Sequence, residues 1–189
     1  EGKGSRNYVF VKQMMYGDTA AWHRLMEKMT NCVIDYMNYQ IDSGVQAVQL
    51  FDSWVGCLSP IDYEQYVFPH SERLMQAISG KVPVIHFGTG NPALSSLMAK
   101  AGGDVLALDW RTPLMETWEL TGVKSVQGNL DPIILCATED AVISKAKELL
   151  DEVGGKPGHI FNLGHGIIPE TPVSNVKALV DFVHEYTQR

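Results

Sequence analysis

The chain is poor in cysteine and in basic residues, and it has no long apolar run. Its three cysteines, Cys32, Cys57 and Cys136, are an odd number at wide spacing, and no CxxC occurs. That pattern excludes a disulfide framework and predicts reduced, partly buried thiols in a cytoplasmic protein. No apolar run reaches the roughly 18 residues of a spanning helix. The opening Glu1-Gly2-Lys3-Gly4-Ser5-Arg6 does not resemble a secretory signal. Fifteen Lys+Arg against 22 Asp+Glu leave a net charge of −7, with no basic cluster. Such a chain is a poor partner for nucleic acid or an anionic membrane. With 45% apolar and 20% charged residues, disorder, collagen and coiled coil are also excluded. The length of 189 residues, with no linker or low-complexity tract, predicts one domain over 1–189. A start at Glu1 rather than Met is expected of a fragment or a processed product.

What is present is a repeat of strand, loop and helix. Five β-like runs stand out: 45–51, 82–87, 105–109, 124–127 and 159–163. Each is followed by a capping residue and proline, at Ser59-Pro60, Asn91-Pro92, Thr112-Pro113, Asp131-Pro132 and Thr171-Pro172. A capping oxygen accepts from orphan N–H groups, and proline suits the first helical position because its missing N–H had no partner there. Apolar stripes follow: Trp22, Leu25, Met26, Met29, Val33 and Met37 after Asp18, then Val142, Ala146, Leu149, Leu150 and Val153 after Thr138. A third, Val176, Leu179, Val180 and Val183, follows Pro172. These spacings predict helices that bury one face. Pro69 predicts a bend or break in the helix after Ser59.

Alternating strands and helices imply a parallel sheet. Two architectures fit: an open doubly wound sheet, or part of a β/α barrel, which when complete takes about 250 residues and eight strands. In both, ligands gather at the carboxyl ends of the strands. Those ends read Phe51-Asp52-Ser53-Trp54, His86-Phe87-Gly88-Thr89-Gly90-Asn91, Asp109-Trp110-Arg111, Gly128-Asn129-Leu130-Asp131 and Asn162-Leu163-Gly164-His165-Gly166. His165, between two glycines, is the leading functional histidine, able to donate or accept near neutrality. His86 stays open, and His23, His70, His159 and His184 read as structural. Asp131 reads as a cap. Asp109 and Arg111 fit a structural pair or a site equally well. Gly88-Thr89-Gly90-Asn91-Pro92-Ala93 matches GxGxxA, and Asp109 follows 21 residues after Gly88. That is the layout of a dinucleotide site, with glycines at the pyrophosphate and the acid on a ribose.

Taken together, the five strand-end segments resemble uroporphyrinogen decarboxylase, and Glu1 to Tyr8 resembles a glycine-containing segment near the middle of that family's chain. The resemblance implies a (β/α) TIM-barrel type of fold, here about five of eight strand-helix units, as the C-terminal half of the family chain. It implies a cytoplasmic, homodimeric carboxy-lyase of haem biosynthesis with clefts facing each other, and no cofactor or metal. Its tetrapyrrole substrate would be uroporphyrinogen, whose four acetate side chains lose carbon dioxide to give coproporphyrinogen. By this likeness Ser53 is a substrate-contacting hydroxyl, His165 the active-site histidine and Phe51 an aromatic of the cleft. Arg111 is a candidate carboxylate contact. The family's arginine motif, central aspartate and a tyrosine ahead of Glu1 have no counterpart here, so these residues alone are expected to be inactive. Related corrinoid-linked methyltransferases bind zinc through His-x-Cys and a later Cys. The corresponding places read His86-Phe87-Gly88 and Gly164-His165-Gly166, without thiolates, so zinc is not expected. Besides the decarboxylase, two readings stay open: a nucleotide-binding α/β domain on Gly88, Gly90 and Asp109, and an inactive remnant that needs its other half.

Overall fold

Each β-like run becomes a strand, and each strand lies parallel to its neighbour. The computed structural model describes residue 5 and residues 7–188; Glu1 to Gly4 and Arg6, part of the segment matched above, lie outside them. The strands are β1 (Val48–Asp52), β2 (Val84–Gly88), β3 (Val105–Ala107), β4 (Ser125–Leu130) and β5 (His159–Leu163). They form a five-stranded sheet in the order β1-β2-β3-β4-β5. The α/β expectation therefore holds. The chain groups into two compact units, Glu1–Leu106 and Ala107–Arg189.

In the first unit, α1 (Val9–Gly17) and α2 (Thr19–Asp42) precede β1. Asp18 caps α2 by accepting from the Ala21 N–H at 2.9 Å. Between β1 and β2 lie α3 (Pro60–Tyr66) and α4 (Phe68–Ile78). The predicted break falls at Val67, so that Pro69 sits in the first turn of α4, where no N–H is needed. Ser59 caps α3 through the Asp62 N–H. The core packs Met37 of α2 and Leu74, Met75 and Ile78 of α4 against Val48 and Val84. The periodicity of α2 is only half right, because Leu25 and Met29 are 41% and 54% exposed. Its buried face runs through Trp22, Thr30 and Met37. After β2 come a 3-10 turn, Pro92–Leu94, and α5 (Ser95–Ala101).

In the second unit, α6 (Leu114–Thr121) precedes β4, α7 (Glu139–Val153) precedes β5, and α8 (Val173–Thr187) closes the described chain. Leu130, Leu135, Val142, Ala146 and Leu179 form its core. Val180 of the predicted α8 stripe is exposed. Asp131 caps a 3-10 turn, Pro132–Cys136, through the Ile133 N–H, and Thr138 caps α7 through Ala141. Two of the five expected caps do not form. The Thr112 hydroxyl donates to Asp109 Oδ1 at 3.2 Å instead, and Thr171 Oγ1 is buried without a hydrogen bond. β4 runs on through Gly128, Asn129 and Leu130, which pair with Phe161, Asn162 and Leu163. Those residues are ladder rather than loop, and the strand-end loop starts only at Asp131. Cys32 and Cys136 are exposed rather than partly buried, Cys57 is half-buried, and all three are free. Among the described residues, no helix is long and apolar enough to cross a membrane.

Candidate active site

In the first unit, the end of β1 presents Phe51 and Ser53. Phe51 is opposite Phe87 in the register, 64% exposed, with its ring edge-on to Phe87 at 5.8 Å. Ser53 is half-buried, and its carbonyl accepts from Thr89 Oγ1 at 3.1 Å. The loop after β2 is tied to the turn after β1 a second time, because Asn91 Nδ2 donates to the Leu58 carbonyl at 2.9 Å. Gly56 makes the contact possible: a Cβ there would lie 2.1 Å from the Thr89 carbonyl oxygen. Thr89, Asn91 and Gly56 thus hold Ser53 in place, a role that spacing along the chain does not reveal. His86 is fully buried beside α5. Its Nδ1 faces the Met98 carbonyl at 3.2 Å and its Nε2 faces Asp52 Oδ2 at 3.3 Å.

In the second unit, Trp110 organises the site. The Arg111 guanidinium lies 3.8 Å over its ring, and the His165 ring stands edge-on to it at 6.2 Å. This residue, which its place along the chain does not single out, brings the predicted Arg111 and His165 together. Asp109 is buried, and its carboxylate accepts from the Arg111 N–H at 2.9 Å, Arg111 Nη1 at 3.0 Å and the Thr112 hydroxyl. Asn129, buried at the end of β4, donates to the Asp109 and Thr112 carbonyls at 2.8 and 2.7 Å. Gly164 lets the end of β5 touch this loop, since a Cβ there would be 2.3 Å from the Trp110 backbone nitrogen. His165 follows directly and is exposed. The GxGxxA run finds no support as a nucleotide cradle. Asn91 caps only the 3-10 turn, α5 starts later at Ser95, and the Asp109 carboxylate already serves its own loop.

A model of the family described as uroporphyrinogen decarboxylase (URO-D) matches residues 1–186. The chain belongs to this family. A uroporphyrinogen decarboxylase of Thermus thermophilus is 52% identical over 186 residues, covering 98% of this chain and 54% of the relative. One from Carboxydothermus hydrogenoformans is 50% identical over 187 residues, covering 98% and 53%. The chain spans about half the length of the curated relatives it matches. A solved methyltransferase from Methanosarcina mazei superposes with a TM-score of 0.82 at 22% identity, covering 94% of this chain and 53% of that one. That likeness shows the fold alone, a (β/α) barrel type of which about five of eight units are present here.

For a uroporphyrinogen decarboxylase family chain, the protonation of these groups is informative. His165 Nδ1 accepts from the Gly166 N–H at 2.8 Å. The neutral ring therefore carries its proton on Nε2, as a donor. Cys57 is a poor nucleophile, because burial pushes its thiol up and the nearby Lys12 only partly opposes this. Burial lowers His159, whose Nε2 is held by the Gly128 carbonyl at 2.7 Å, in keeping with a structural role. Among the described residues, no three His, Cys, Asp or Glu side chains are grouped to hold a metal ion.

Proposed function

We propose that these residues are the C-terminal half of a single-domain uroporphyrinogen decarboxylase. The complete chain removes carbon dioxide from the four acetate side chains of uroporphyrinogen, giving coproporphyrinogen. The observation that carries this reading is the 52% identity to an enzyme of that name across 98% of the chain. The reaction as read needs no cofactor or metal, and the working enzyme is a cytoplasmic homodimer.

A pyrrole acetate loses carbon dioxide once its ring carbon is protonated. The ring cation then accepts the electron pair of the breaking C–C bond. The protein must stabilise that cation with a carboxylate and hold the substrate's own carboxylates with donors. The residues present here serve the second demand. The Ser53 hydroxyl and His165 Nε2–H donate to substrate carboxylates, and Phe51 forms an apolar wall. Arg111, 49% exposed and already paired with Asp109, adds directed N–H donors more than unpaired charge. A hydrogen bond to a charged group contributes about 1.5–3 kcal/mol, roughly ten- to a hundredfold in rate if made in the transition state. The carboxylate for the ring cation belongs to the rest of the family chain.

The test is to incubate uroporphyrinogen with the complete chain that carries these residues and follow stepwise loss of four carboxyl groups by chromatography. Conversion to a tetracarboxylate product is expected. Its absence with a folded, complete chain refutes the reading.

A further inference from the structure

The buried cluster around Asp52 and His86 has no part in the chemistry above. His86 is 0% exposed and lies between two acceptors. Nδ1 faces the Met98 main-chain carbonyl at 3.2 Å, and Nε2 faces Asp52 Oδ2 at 3.3 Å. A carbonyl oxygen only accepts, so Nδ1 must carry a proton. A carboxylate also only accepts, so a neutral ring, with one proton to give, would leave a bare Nε2 facing bare oxygen. The arrangement is satisfied when the pair carries one further proton, as imidazolium against carboxylate or as imidazole against carboxylic acid. The first form suits the surroundings better, because the Ser71 hydroxyl also donates to Asp52 Oδ2, at 3.4 Å. That bond favours the charged carboxylate.

The groups seen in contact with the pair are uncharged. Tyr63 of α3 is fully buried, and its phenol is pushed well above its ordinary range, by burial first and by the Asp52 charge second. It stays an O–H, and Ser71 opposes the upward shift only in part. α4 contributes the neutral Ser71, and α5 contributes the Met98 carbonyl. Asp52 keeps 25% side-chain exposure, so protons reach the pair from its side, whereas His86 is closed off.

Asp52 sits between Phe51 and Ser53 in the chain. Side chains alternate between faces along a strand, so tethering Asp52 toward α4 and α5 turns Phe51 to the other face. We propose that Asp52 and His86 share one buried proton as an imidazolium–carboxylate pair. We further propose that this pair is a positioning element for Phe51 and Ser53. The relevance of that positioning to substrate rests on the function proposed above; the proton count does not.

The experiment uses the complete chain carrying these residues, labelled with 15N-histidine and 15N-serine. His86→Gln assigns the His86 ring signals by their disappearance. At neutral pH both ring nitrogens of His86 are expected to carry protons, and a single protonated nitrogen in the wild type overturns the proposal. In Asp52→Asn the ring is expected to fall to one proton, on Nδ1, and a ring that stays doubly protonated there also overturns it. As pH rises until the pair loses its proton, the Ser53 amide signal is expected to move in step with His86. A Ser53 signal that ignores that step overturns the positioning role and leaves the decarboxylase reading untouched. If Asp52→Asn does not fold, the wild-type proton count and the Ser53 response still decide both points.

Discussion

Substituting Gly164 by alanine isolates what the tertiary contact at the end of β5 contributes. A Cβ built there lies 2.3 Å from the Trp110 backbone nitrogen, 2.9 Å from the Asp109 carbonyl carbon and 3.0 Å from the Trp110 Cα. The shortest of these is more than 1 Å inside ordinary van der Waals contact, which begins at 3.4 Å. No flexible side chain can yield, because all three atoms are backbone. Either β5 or the 109–112 loop must move. The loop is pinned by two Asn129 bonds and the Asp109 bonds to Arg111 and Thr112, and Gly164 itself donates to the Leu130 carbonyl at 2.7 Å. Overpacking of this kind costs about 1–3 kcal/mol, and the rigidity of both partners places Gly164→Ala at the upper end. Gly166 is the control two residues away: nothing lies within 4 Å of its Cβ position. Gly166→Ala should stay within about 0.5 kcal/mol of wild type. Urea unfolding of each variant measures both, with the midpoint shifting at constant m. Equal midpoints for the two variants would refute the reasoning.

Four further outcomes are expected. His165→Ala should lower decarboxylation by the complete chain roughly ten- to a hundredfold, the value of one charge-assisted hydrogen bond; an unchanged rate constant would assign the residue to structure. Asn129→Ala leaves two buried carbonyls without their donor and should cost about 2–4 kcal/mol, read by thermal or urea unfolding; a neutral variant would contradict the geometry. Burial lowers His159 and His70 below their ordinary value of 6.5, His70 also through the His23 and Arg73 charges. The unfolded chain therefore binds more protons, and stability that is complete above pH 6.5 drains away as pH falls toward the lowered folded values. Melting temperature against pH should show that slope weakened in His159→Gln. Last, the isolated 189 residues should be inactive and associate through the edge strands β1 and β5, one carrying exposed Phe51 and the other exposed Ile160. Light scattering that finds a well-behaved monomer active on uroporphyrinogen would contradict this.

Much of the architecture was legible along the chain because it is decided locally. Ser59, Asn91 and Asp131 each satisfy a backbone N–H two or three residues on, so their role follows from sequence neighbours alone. The parallel sheet followed from strands alternating with helices, and the five strand-end segments carried the family. Where a group meets a partner other than the one its neighbouring pattern names, the local rules ran out. Thr112 looked like another cap, but a buried Asp109 three residues earlier takes its hydroxyl. Gly128 to Leu130 looked like a loop until β5 supplied their ladder partners. Leu25 and Met29 fit a helical period, yet periodicity records which residues share a face and not whether anything covers that face. The same limit governs the site. His165 and Arg111 were singled out by their places at strand ends, and Ser53 and Phe51 by the family likeness. Thr89 on the Ser53 carbonyl, Trp110 between Arg111 and His165, and the proton count of Asp52 and His86 depend on which acceptor each donor meets, and only tertiary packing decides that.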